Sequence, residues 1–310
     1  MHMFKRTFFQ ALTLALLIAP LASAQIIIKP RVEAPGSFET NLHFKVKQTL
    51  SVMGQDIDTA SMRKVTAKTD VSKPDSAGNV TYSSKYTAFE NKISLPGGVE
   101  LEFDSNGENT PQGTQLDFIL PLLEALSKST TTIVHNKNGD IVKMEVDAEG
   151  LDALDAQAKA MLGGELDGDI LKEKAQNQID EFNDKPVNIG DSWKSETTLE
   201  LGQGTVFEMT SSQKYLGTIQ QDGKTLHHVE IKYTEVDFEQ PAATPGAAAV
   251  TESDLEIIEG TSTLLFDAEK GRIVTSKIHL EVKGEITLTI ADMDLPAKLA
   301  LEITINQTNK

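Results

Sequence analysis

Between Val274 and Ile290 the apolar residues fall at even positions: Val274, Ile278, Leu280, Val282, Ile286, Leu288 and Ile290. The odd positions carry polar groups, among them Lys277, His279, Glu281, Lys283, Glu285 and Thr287. Period two marks a strand with one buried and one wet face. The phase persists past Gly284, so the pattern predicts one long strand bent at the glycine, with no hairpin there. At ~3.3 Å per residue it would run to roughly 55 Å. A strand of that length calls for a large curved sheet and something apolar to cover it.

Similar alternation recurs along the chain. Leu42, Phe44, Val46, Leu50 and Val52 share a face, and Met53-Gly54-Gln55-Asp56 reads as a turn into a weaker strand over 57–69. Residues 80–95 are strand-like, Pro96-Gly97-Gly98 turns the chain, and Val99, Leu101 and Phe103 alternate again. Asn138-Gly139 predicts a two-residue hairpin turn that sets His135 opposite Val142, Ile133 opposite Met144 and Thr131 opposite Val146. Further strands are predicted over 195–201, 204–216, 226–238 and 255–266, with a last one through Leu299, Leu301, Ile303 and Ile305. The alanine- and proline-rich stretch 240–254 has no period and reads as a loop tip.

Two stretches have helical spacing. Residues 116–126 are dense in apolar groups, with Pro121 suited to a first turn, and predict a short buried helix lying on the sheet. Over 151–182, Leu151, Leu154, Ala158, Met161 and Leu162 share one face. After Gly163-Gly164 the face continues through Leu166, Ile170, Leu171, Ala175, Ile179 and Phe182. The expected fold is α+β: a large, mostly antiparallel, half-barrel-like sheet with helices packed on its apolar face. The expected organisation is a leader over 1–24, an extended lead-in over 25–37 containing Pro30 and Pro35, and one domain over 38–310. That domain would comprise strand-rich halves (38–150 and 184–310) around the helical segment. Phe118, Leu122, Phe182 and Trp193 are the candidate lining of an apolar pocket between sheet and helices.

Composition narrows the function. Lys5 and Arg6, the apolar run from Phe8 to Leu21 and Ala22-Ser23-Ala24 have the form of a secretory signal peptide, too short to span a bilayer. The expected location is therefore outside the cytoplasm, periplasmic or extracellular. With no cysteine there is no disulfide, thiolate metal site or cysteine nucleophile. A formal charge of −17 argues against nucleic acid as a partner. Gly190-Asp191-Ser192 has the look of one esterase nucleophile block, but no Asp-x-x-His supplies a base. Glu165, Asp167, Asp169 and Glu173 resemble part of a calcium loop, yet Ile170 stands where its glycine belongs. No histidine pair has zinc-ligand spacing, and no phosphate loop or dinucleotide fingerprint occurs. The expectation is a protein without catalytic residues, metal or cofactor.

Lys185-Pro186-Val187-Asn188-Ile189-Gly190-Asp191-Ser192-Trp193 resembles a signature of an uncharacterised family of secreted bacterial proteins, in which it separates two strand-rich halves. The overall plan also resembles periplasmic lipoprotein carriers of the LolA type. That second resemblance is architectural and does not fix function. The long half-apolar strand and the leucine-rich helix lead to the expected function: a non-enzymatic binding protein that holds a lipid or other hydrophobic molecule between sheet and helices. The alternative is a structural or protein-interaction module of the cell envelope, using exposed strand edges.

Overall fold

The computed structural model describes residues 25–150, 154, 167–202, 205–240, 248–290 and 293–310, with backbone alone for 200–202. Residues 1–24, read as a leader, residues 151–153 and 155–166 of the helical stretch, and residues 241–247 of the stretch read as a loop lie outside the described residues.

Twelve strands follow the predicted alternations closely. They are β1 (Gly36–Val52), β2 (Gln55–Val71), β3 (Val80–Leu95), β4 (Val99–Asp104), β5 (Thr130–His135), β6 (Ile141–Asp147), β7 (Ser192–Gly202), β8 (Thr205–Gln221), β9 (Lys224–Glu239), β10 (Ala249–Asp267), β11 (Arg272–Ile290) and β12 (Met293–Asn309). All pairings are antiparallel, in one open sheet of order β6-β5-β3-β2-β1-β12-β11-β10-β9-β8-β7. β4 lies beside β3, next to β5 on the same edge. The first and last strands meet at the centre, paired from Thr40↔Asn309 to Val52↔Ala297. β10 begins at Ala249, so part of the stretch read as a loop is strand. The β5–β6 hairpin keeps the expected Thr131↔Val146 and Ile133↔Met144 pairs. A bulge then places His135 opposite Ile141 instead of Val142. Gly139 sits at φ 95 and donates its N–H to the Asn136 carbonyl, closing a longer turn than the two-residue one.

β11 runs unbroken past Gly284, which pairs with Leu255 on one side and Leu299 on the other. Leu280, Val282 and Ile303 have no exposed surface, and they belong to a core cluster drawn from β1 and β7–β12. No helix contributes to that cluster among the described residues. The cluster is built from the strands themselves, and two glycines show how closely they approach. A Cβ on Gly260 would lie 2.7 Å from Ile257 Cγ2 and 3.0 Å from Tyr233 Cβ. A Cβ on Gly284 would strike the Asp254 carbonyl oxygen and come within 2.8 Å of Leu255 Cα. Cross-strand Cβ atoms normally sit ~4.5–5.5 Å apart, so the chain approaches both sites too closely for a side chain, as glycine in a strand often marks.

The α+β expectation is therefore wrong. The described chain is predominantly antiparallel sheet, and its two short helices do not roof the large apolar face. Helix α1 (Leu120–Ser127) lies in a corner cluster with Val65, Phe89, Leu101 and Phe103. Helix α2 (Gly168–Asp180) buries no residue, and Ile170 is exposed. Its amphipathic spacing was real, but the spacing does not reveal what the stripe meets.

α2 instead serves the two free edges of the sheet. Gln176 Oε1 accepts the Ile141 N–H of β6 at 2.8 Å. Just past the helix, Glu181 accepts the Thr198 N–H of β7 at 3.3 Å, and its carbonyl accepts from the Ser195 hydroxyl at 3.1 Å. Burial raises the Glu181 carboxyl above its ordinary pKa despite those bonds. Asp167 caps the helix by accepting the N–H groups of Asp169 and Ile170, which accounts for that residue without calcium. Capped edges resist pairing with a foreign strand.

The lead-in is a strap across the sheet. Ile26 and Val187 exchange backbone hydrogen bonds, and Ile28 is buried with Tyr215, Val229, Leu264 and Phe266. Arg31 N–H donates to the Gly271 carbonyl, and Glu33 N–H donates to the Tyr82 hydroxyl at 2.7 Å. Residues 26–33 thus tie β10 and β11 to β3.

Tyr233 makes a testable contribution to this core. Burial pushes its hydroxyl up to about 12, against a hydrogen bond with Ser262. A raised folded value means that Tyr233 favours the folded state fully below pH 10 and loses that advantage as pH climbs through about 12. Two pH units correspond to about 3 kcal/mol. Alkaline titration of thermal unfolding should show a fall in Tm between pH 10 and 12 that is smaller in Tyr233→Phe.

Candidate functional site

A groove of about 680 Å³ opens at the β1–β2 end of the central seam. It is framed by Ser51, Met53 and Gly54, by Glu252–Asp254 of β10, by Glu285–Thr287 of β11, and by Pro296–Lys298 of β12. Register explains this set. Ser253, Ile286, Ala297 and Val52 form one cross-strand row, and Ile286 and Ala297 turn their side chains into the core. The rows on either side turn outward. One carries Glu252, Thr287 and Pro296, and the other carries Asp254, Glu285, Lys298 and Ser51.

Met53 is the residue least explained by folding. The two-residue turn is closed by Val52↔Gln55, with φ of 51° at Met53 and 79° at Gly54. Positive φ at both positions favours Asn, Asp or Gly at the first. The β8–β9 turn obeys this with Asp222 and Gly223, at φ of 51° and 75°. A methionine in the left-handed region costs ~1–2 kcal/mol. Met53 is 86% exposed, so little burial offsets that cost. Its thioether is flexible and polarizable, suited to irregular apolar partners.

The four residues proposed from sequence are divided between two places. Phe118 packs on the cluster that contains Leu122, beside α1. Phe182 and Trp193 pack on the cluster beneath the strap, with Ile28 and Val187. None of the four lines the groove. Ser192 opens β7 opposite Lys214. The neighbouring Asp191 carboxylate accepts from the Asn188 backbone at 2.8 Å and side chain at 3.2 Å. That segment receives the strap through Val187 and reads as a folding element. Among the described residues no group of three or more His, Asp or Glu is placed to hold a metal. No helix among them is long and apolar enough to cross a membrane.

A model of the family of unknown function DUF6263 matches residues 77–236, from the loop before β3 into β9. The chain belongs to this family. Its matched region includes the Lys185–Trp193 segment and both α1 and α2, and stops short of β10–β12. No curated protein sequence matches the chain. Among solved structures, lipovitellin is similar at 11% identity with a TM-score of 0.41, covering 89% of this chain and 25% of that one. This chain thus spans about a quarter of the lipovitellin chain. A candidate exported protein with a YmcC-like fold from Bacteroides fragilis is 9% identical, with a TM-score of 0.20 over 89% of this chain and 97% of that one. At such scores the likenesses bear on neither fold nor function.

Proposed function

We propose that this member of the family is an exported, non-enzymatic binding protein that holds a hydrophobic, amphiphilic molecule in the groove at Met53. The observation that carries the reading is Met53 itself: a costly backbone choice, exposed, beside a groove of about 680 Å³. Departures from local rules concentrate at functional positions. The groove exceeds the ~300 Å³ that a small ligand needs. An apolar body would lie along Met53 and Pro296, with its polar end toward the hydroxyl and carboxylate rim. The alternative, an interaction module working through strand edges, is weakened by the capping of β6 and β7.

Met53→Gly separates function from folding. Glycine takes the positive φ freely, so stability should rise by about 1 kcal/mol, or ~2–4 °C in Tm. Ligand occupancy should fall about tenfold, read by native mass spectrometry on protein purified from its own host, with lipid extraction as the control. Wild type that carries no small molecule, or equal occupancy in both proteins, would refute the reading. Ester hydrolysis lost in Ser192→Ala would replace it with a hydrolase.

A further inference from the structure

At the far end of β1, roughly 50 Å from Met53 by strand length, a second cavity of about 420 Å³ lies between the strap and the β10–β11 turn. Arg31, Glu33, Phe38, Glu269, Lys270 and Arg272 line it. Three of these are cationic and two are anionic, in a chain where acids outnumber bases 46 to 29.

Arg272 is the centre of this cavity. Its side chain is only 8% exposed, and Nη1 pairs with Glu33 at 3.2 Å. The Phe38 ring stacks 4.7 Å from its guanidinium carbon and fixes the plane of the fork. Its Nε is buried and has no hydrogen-bond partner. An unmet N–H on a buried guanidinium is expensive, and few native structures keep one without a reason. Two of the nearby acids, Glu33 and Asp267, are already engaged. Glu33 holds Arg272, and the Asp267 carboxylate accepts the N–H groups of Glu269 and Lys270 at 3.0 Å each. Among the described residues neither Arg31 nor Lys270 has a carboxylate within ion-pair distance. Arg31 Nη2 donates instead to the Ala268 carbonyl.

We infer that this cavity binds the oxyanion of a small molecule, a carboxylate or a phosphate. The Nε edge of Arg272 supplies the oriented donor, and Arg31 and Lys270 supply the charge. A planar guanidinium edge with one arm already committed is the geometry that takes one or two oxygens of such a group. The site is independent of the groove at Met53.

The test is an NMR titration of the full chain with sodium phosphate and, separately, sodium acetate. Sodium chloride holds the ionic strength constant. The probe is the Arg272 Nε–H resonance, assigned by its loss in Arg272→Lys. A saturable shift with either anion, weakened about fivefold or more in Lys270→Glu, is the expected result. Phosphate alone would mark a phosphoryl ligand, and acetate a carboxylate. Lys270→Glu lies at the cavity rim and should keep the wild-type Tm, so folding does not confound the comparison. A shift matched by chloride, or undiminished in Lys270→Glu, would overturn the inference and leave Arg272 as a latch for the strap.

Discussion

Gly284→Ala is expected to lose about 3 kcal/mol or more of stability, although it adds a single methyl group. The new Cβ would meet the Asp254 carbonyl oxygen and Leu255 Cα, which are backbone atoms and cannot rotate away. Relief requires β10 to lift from β11, and that opens the inner face around Leu280, Val282 and Leu301. Gly36→Ala is the matched control, because nothing lies within 4 Å of its Cβ position and its φ is unremarkable. Urea unfolding of the two variants should show a large drop in midpoint for the first and almost none for the second. Equal midpoints would mean that the close approach at Gly284 is absent in solution.

Phe207→Ala should be comparably severe, at about 3–5 kcal/mol. Phe207 is 1% exposed and stacks on Phe238 with ring centroids 4.6 Å apart. Its neighbours in the cluster come from β9 to β12, so truncation leaves a cavity in a packed interior where collapse is limited. Ile189→Ala, at a position 62% exposed, should change stability by less than about 0.5 kcal/mol. Thermal melts of both variants check this. A small loss for Phe207→Ala would mean that this half of the sheet is loosely packed.

The alternation at β11 and β12 was legible because side-chain period follows directly from strand geometry. The continuity of β11 through Gly284 was legible because the phase survived the glycine. What covers the apolar face was not legible. Leu280 and Val282 are equally apolar whether a helix or another part of the same sheet lies above them. The spacing of Ile170, Leu171 and Ala175 indicated a helix, but α2 sits beside β6 and β7, and edge capping by Gln176 and Glu181 has no sequence signature. The strap was hidden for a different reason. Its partner Val187 lies far along the chain, and Pro30 and Pro35 made the segment read as a mere lead-in. Phe118 and Trp193 stand out in the sequence by size and hydrophobicity, which mark core more often than site. Met53 was in plain view as part of a turn. The signal was its mismatch with that turn, which became decisive only once φ was known.

The meeting of β1 and β12 has a consequence for the order of events in folding. Thr40 and Asn309 share a side-chain hydrogen bond although 269 positions separate them. Until the last seventeen-residue strand has left the ribosome, β1 and β11 each lack a neighbour and the molecule is two unfinished pieces. Contacts between such distant parts of a chain form slowly. The architecture therefore builds in a delay: β1 and β11 wait for β12 before the sheet is continuous.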